Sequence, residues 1–192
     1  MSDGHALAMN TAISMLTLAQ KLSDRLRLGI VASLSETLGN MLDGQALDLQ
    51  AFQLYQEGLE GYLKIAGGKT GALLQFAATV GGHSLADDLR QHLSNWAFNL
   101  SVAHQIQDDL DDIIDHAPEN LYPSNIHWFL AAEVTSHTAD ETRKIACRLA
   151  SDYVAKGIAE LSFSSVPECL REDLLFISKA LGERRSTAPA HS

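Results

Sequence analysis

The chain has 192 residues, of which 46% are hydrophobic and 20% charged, with a formal net charge of −10 at pH 7. That length suffices for one domain with a real core. The acidity argues against nucleic-acid or anionic-membrane partners, which select basic surfaces. Cys147 and Cys169 form no metal-ligand spacing and read as buried free thiols of a reducing compartment. No basic segment follows Met1. The most apolar early stretch, residues 6–19, is broken by Asn10, Thr11, Ser14 and Thr17, too polar and short to span a bilayer. A cytoplasmic protein without a transmembrane segment is the expectation.

The four prolines stand at 118, 123, 167 and 189, so the first 117 residues are open to long helices. A first periodic stretch covers residues 6–22. A second, residues 24–42, sets Leu28, Val31, Leu34, Leu38 and Met41 at helical spacing. A third, residues 54–80, contains Gly67-Gly68, read as a bend, and Gly81-Gly82 closes it. The fourth carries one apolar stripe from Leu89 through Leu93, Trp96, Leu100, Ala103, Ile106 and Leu110 to Ile113. A loop with Pro118 and Pro123 follows, then a short helix over 125–133. Thr138-Ala-Asp-Glu141 has the form of a capping box opening a helix to about Leu161. Pro167 opens a last helix that ends near Arg185. Nothing reads as a strand. The expected class is all-α, a single helical domain over residues 1–185, with residues 186–192 a disordered tail.

Within the fourth helix, residues 104–115 read His-Gln-Ile-Gln-Asp-Asp-Leu-Asp-Asp-Ile-Ile-Asp. Gln105, Asp108, Asp109 and Asp112 share one helical face. A solvated acidic face is one reading. Against it, like charges at i,i+4 cost a helix about 0.2–0.5 kcal/mol per pair, and no Lys or Arg stands between Arg90 and Arg143 to offset them. Unpartnered carboxylates call for a cation. Hard oxygen ligands point to magnesium, which takes one or two carboxylates and leaves its other positions to phosphate and water. On the residues alone both readings stay open.

A diphosphate would also need a protein cation. Lys69 is the candidate, with Thr70 as hydroxyl donor, in Gly67-Gly-Lys-Thr-Gly71. A nucleotide-binding P-loop is excluded, because its first glycine position holds Leu63 and no strand precedes it. Gln45 and Asp48 form a polar pair on an otherwise amphipathic helix, and His104 lies one turn before Asp108, within reach of it.

Three segments together resemble the trans-isoprenyl diphosphate synthases, the polyprenyl synthetase family. They are Gly44-Gln-Ala-Leu-Asp-Leu49, Tyr62-Leu-Lys-Ile-Ala-Gly-Gly-Lys-Thr-Gly-Ala-Leu-Leu74 and Gln105-Ile-Gln-Asp-Asp-Leu-Asp-Asp112, in the family's order and separation. The resemblance implies an isoprenoid-synthase-like antiparallel helical bundle lacking the N-terminal helices. It implies a prenyltransferase that elongates or transfers a prenyl chain held as an isoprenyl diphosphate through Mg2+. In this family the diphosphate ionises and isopentenyl diphosphate attacks the carbocation. Carried over by position, Asp108, Asp109 and Asp112 would hold magnesium. Lys69 and Gln105 would contact diphosphate and act with Asp108 and Asp109 in catalysis. Thr70 would line the site, and Gln45 and Asp48 would face the cavity. The family dimerises through helices corresponding to residues 5–48, which implies a homodimer or a heteromer with a related subunit.

The departures are specific. No first Asp-Asp-x-x-Asp motif with an arginine pair after it stands ahead of Gly44, His104 replaces a phenylalanine, and residues 113–128 carry no lysine or arginine. They favour catalysis completed by a partner subunit, or alternatively a non-catalytic binding or regulatory subunit.

Overall fold

The computed structural model describes residues 3–25, 30–82, 84–133, 138–163 and 166–183. The expected tail at 186–192 lies outside them. The described residues form eight α-helices and no strand. They are α1 Asp3–Arg25, α2 Ile30–Leu49, α3 Gly58–Ala66, α4 Ala72–Gly81, α5 Asp87–Asp115, α6 Ile126–Glu133, α7 Ala139–Glu160 and α8 Glu168–Glu183. Residues 1–39 and 40–192 form two compact units.

In the first unit, Ser23, Ile30, Leu34 and Thr37 are buried. Thr17, Ser23, Ser35 and Thr37 each donate to the carbonyl four residues earlier. The helix itself thus satisfies hydroxyls that would otherwise compete with its ladder. Ile13, Met15, Leu16, Leu18 and Leu22 of α1 stay exposed.

The second unit is built around α5. Its apolar stripe buries Leu89, Leu93, Trp96, Leu100, Ile106, Leu110 and Ile113, each worth roughly 1.5–3 kcal/mol relative to exposure. Helix α7 runs antiparallel along it: His92 meets Glu160, while Leu100 meets Gly157. Small residues make that approach possible. A Cβ at Gly157 would stand 3.2 Å from the Leu100 side chain. Helix α8 docks through a buried hydrogen bond from Trp96 Nε1 to Ser178 Oγ at 3.0 Å. Helix α6 inserts Phe129, fully buried, against the edges of Tyr55 and Tyr62.

The third predicted stretch resolves into a 3-10 helix over Ala51–Glu57, α3, a π-turn over Gly67–Gly71, and α4. Gly58, at φ 55°, takes the left-handed conformation that lets the 3-10 segment turn into α3. At Gly67-Gly68, where a bend is expected, the chain stays helical: both flanks of the turn keep right-handed helical geometry, so the glycines widen the helix rather than break it. The second helix reaches Leu49, beyond the expected Leu42, which places Gln45 and Asp48 inside it. The capping box forms as expected, with the Glu141 amide donating to Thr138 Oγ1 and the Thr138 amide to Glu141 Oε2. The cysteines correct the sequence reading: both are free, but both are exposed. Cys147 follows the buried Ala146 onto the outer side of α7, and Cys169 lies in the first turn of α8.

Candidate functional site: a polar cavity beside an apolar groove

Two helices and the π-turn converge on a small polar cavity of about 170 Å3 in the second unit. Asp48 comes from α2, Lys69 from the π-turn, and Gln105, Asp109 and Asp112 from α5. Lys69 Nζ lies 3.1 Å from Asp48 Oδ2, and Gln45 Nε2 donates to the same oxygen at 2.9 Å. Gln45 is exposed and acts through Asp48 rather than lining the cavity. Thr70 Oγ1 donates to Gln105 Oε1 at 3.0 Å, and Gln105 Nε2 donates to Asp109 Oδ1 at 3.0 Å. One chain of hydrogen bonds therefore links the π-turn to the aspartate cluster.

The aspartates, which share one face on a helical projection, have three different environments. Asp109 is buried and also accepts from the Ile126 amide at 2.9 Å. Burial pushes its carboxyl up to about 6, against the pull of the Ile126 and Gln105 hydrogen bonds. The buried Tyr62 hydroxyl is close to this carboxylate but outside normal hydrogen-bond geometry. Burial and then the Asp109 charge drive its pKa well above the usual phenol value. Asp108 is about half exposed and sits 3.0 Å from His104 Nδ1. Asp112 is half-buried and lines the cavity. The expectation that these carboxylates lack local partners is corrected: amides and an imidazole supply what Lys and Arg do not.

The structure adds residues that motif reading passed over. Tyr122, Ser124 and Asn125 close the cavity from the loop before α6. Asn125 is buried. It donates to the Asp109 backbone carbonyl at 3.0 Å and accepts from the His127 amide at 2.9 Å, as a helix N-cap does. An Asn immediately before an apolar run was the available signal. Tyr55 Oη ties the loop down by donating to the Pro123 carbonyl at 2.7 Å.

Next to the cavity lies a larger groove of about 670 Å3. Leu73, Leu74, Phe76, Ala77 and Val80 of α4, Leu100 of α5, and Ile177 and Leu181 of α8 give it apolar walls. Its polar groups are Thr70, Ser101 and His104. Thr70 thus lines the groove while bonding to Gln105, which lines the cavity.

Among the described residues, no three Asp, Glu, His or Cys side chains converge as a metal cage. Asp109 and Asp112, one turn apart on α5, instead offer the one or two carboxylates that magnesium takes when phosphate and water complete its shell. The donor set fits that ion in company with a phosphate ligand. No described helix is long and apolar enough to cross a membrane.

Residues 2–121 match the family model described as polyprenyl synthetase. The farnesyl diphosphate synthase of Escherichia coli is 34% identical over 99 residues, which cover 49% of this chain and 33% of that protein. The short chain isoprenyl diphosphate synthase of Methanocaldococcus jannaschii is 34% identical over 88 residues, 44% of this chain and 26% of that protein. The aligned part of the chain thus spans a third or less of these curated relatives. Among solved structures, the decaprenyl diphosphate synthase from Rhodobacter capsulatus superposes with a TM-score of 0.64 at 22% identity, over 86% of this chain and 62% of that one. The geranylgeranyl pyrophosphate synthetase from Pyrococcus horikoshii gives 0.62 at 22% identity, over 81% and 58%. At that identity the likeness establishes the helical fold.

Proposed function

The chain belongs to the polyprenyl synthetase family, and from that premise we propose that it binds an isoprenyl diphosphate and serves prenyl transfer, completing its site with a partner subunit. The observation that carries this reading is the junction at Thr70 and Gln105, where a polar cavity meets an apolar groove. An amphiphile with an anionic head and a hydrocarbon tail suits the pair.

In this reading the diphosphate lies in the polar cavity. Lys69 donates to its oxygens as a point charge, leaving Asp48 to hold the ammonium in position. Thr70 holds Gln105 through its Oε1, and the remaining Gln105 amide hydrogen orients the ester oxygen toward the groove mouth. The chemistry supplied at Asp109 and Asp112, with Asp108 beside them, is charge neutralisation of the diphosphate by magnesium. The groove walls exclude water from the prenyl chain once the carbon–oxygen bond ionises.

The sequence gives a second reading its specific support. Asp-Asp-x-x-Asp spacing occurs only in one cluster, residues 108–115, and Lys69 is the one lysine or arginine among the polar cavity's lining residues. A binding or regulatory subunit of a complete synthase needs no more than that.

Thermal unfolding with magnesium and farnesyl diphosphate tests the site. The wild type gains stability only when both are present, and the Asp109→Ala/Asp112→Ala variant gains none. No shift in the wild type overturns diphosphate binding. Product formation from isopentenyl and farnesyl diphosphates, alone and with a co-expressed full-length synthase, then separates the readings. Product in neither case leaves the binding subunit.

A further inference from the structure

Lys69 and Thr70 are neighbours in sequence, yet their side chains engage different helices. Lys69 meets Asp48 of α2, and Thr70 meets Gln105 of α5. Both contacts require the π-turn that carries them to sit at a fixed spacing from each helix. A π-turn is a rare, wide conformation and needs support from outside itself.

The structure has two such supports. On one side the backbones of Gly44 and Gly68 touch. A Cβ at Gly44 would lie 2.6 Å from the Gly68 carbonyl carbon and 2.6 Å from the Lys69 nitrogen. On the other side the ring of Phe98 occupies a notch between Gly67 and Gly71. A Cβ at Gly67 would stand 2.9 Å from Phe98 Cε2, and one at Gly71 3.0 Å from Cδ2. The turn is therefore gripped between α2 and α5. Phe98 lies two turns before Gln105 on α5, at ~3.6 residues per turn, so the residue that grips the turn and the residue that receives Thr70 share one side of one helix. Gly44, Gly67, Gly68 and Gly71 fall within the recognisable motifs; Phe98 lies outside all of them.

We propose that Phe98 is a positioning residue, holding the π-turn from α5 so that Lys69 and Thr70 are presented together to the polar cavity. The ligand half of this inference rests on the diphosphate reading above. The structural half does not.

Two measurements test it on the full chain. One is amide hydrogen exchange, followed by mass spectrometry, in peptides covering residues 66–72. The other is the Kd for inorganic pyrophosphate with magnesium, by calorimetry. In Phe98→Ala, exchange in the turn rises about tenfold while peptides from α7 stay at wild-type rates. The pyrophosphate Kd rises about tenfold as well, equivalent to about 1.4 kcal/mol. Phe98→Leu, which keeps apolar bulk without a flat ring, moves both readouts the same way by less, and serves if the alanine variant fails to fold. Gly71→Ala alone weakens binding by crowding the ring. The double variant Phe98→Ala/Gly71→Ala recovers part of the loss, because the new methyl fills vacated space. Effects that cancel identify the contact; a general loss of stability would add. Unchanged exchange in both Phe98 variants, or simple addition in the double variant, overturns the proposal. If the wild type binds no pyrophosphate, the diphosphate reading falls and the exchange data still decide the grip.

Discussion

Asp109 concentrates the tension in this site. A carboxylate that is nearly fully buried costs the fold stability when ionised, and two hydrogen bonds only partly offset the lost hydration. Its folded pKa of about 6 lies above the ordinary 3.8. Between those values the folded state binds more protons than the unfolded state, so this group's contribution falls as pH rises from about 4 to about 6 and is level above that. At about 1.4 kcal/mol per pKa unit the loss is on the order of 3 kcal/mol. Asp109→Asn removes the ionisation while keeping the shape. In urea unfolding across pH 4 to 7, its stability relative to wild type rises by ~2–3 kcal/mol. A difference that is flat with pH refutes the assignment. The sequence marks Asp109 as one of five similar aspartates, and helical projection puts it on a face with Asp108 and Asp112. Its burial depends on α6 and its N-cap, Asn125, which pack over that turn from beyond a proline loop. Local pattern carries no information about such a contact.

At the scale of elements, legibility follows from how each helix is encoded. The eight-turn stripe of α5 and the capping box of α7 are local signals, and both appear in the structure where they are expected. The box has a measurable worth. Thr138→Ala removes the side-chain acceptor of the Glu141 amide and lowers stability by about 1 kcal/mol, read as a shift in the urea midpoint at unchanged slope. The docking of α8 depends on a pair no pattern reveals. Ser178 accepts from Trp96 and donates to the Leu174 carbonyl, all within a buried interface. Ser178→Ala strands the indole N–H and costs about 1–3 kcal/mol, whereas Ser178→Thr keeps the hydroxyl and most of the stability. Equal losses in the two variants would assign the effect to packing. The π-turn was illegible for a different reason. Paired glycines are read as breakers because they lack a side chain, but here the missing Cβ is what admits Gly44 and Phe98. A glycine placed for close approach and one placed for a turn look the same in a sequence.

At the scale of the molecule, the unburied apolar surface on α1 calls for a partner. Met15, Leu18 and Leu22 repeat at i, i+3 and i+7, the stripe of a helix that packs against another, yet they are 67%, 57% and 50% exposed. A soluble chain seldom leaves a continuous apolar stripe in water, and where one persists it marks an interaction surface. The family resemblance assigns residues 5–48 to a subunit interface, and a second copy of the chain offers the same stripe for self-complementary packing about a twofold axis. Sedimentation velocity at micromolar concentration is expected to give a dimer for the wild type and a monomer for Met15→Glu/Leu18→Glu, since each buried carboxylate would lack a partner. If the interface is shared with a related subunit instead, the wild type sediments as a monomer and becomes dimeric only on co-expression with that subunit, and the double glutamate variant abolishes that complex too. A wild type that stays monomeric in both settings removes the surface from any account of how a partner would complete the proposed diphosphate site. The polar cavity would then have to work with the cation and carboxylates already in it.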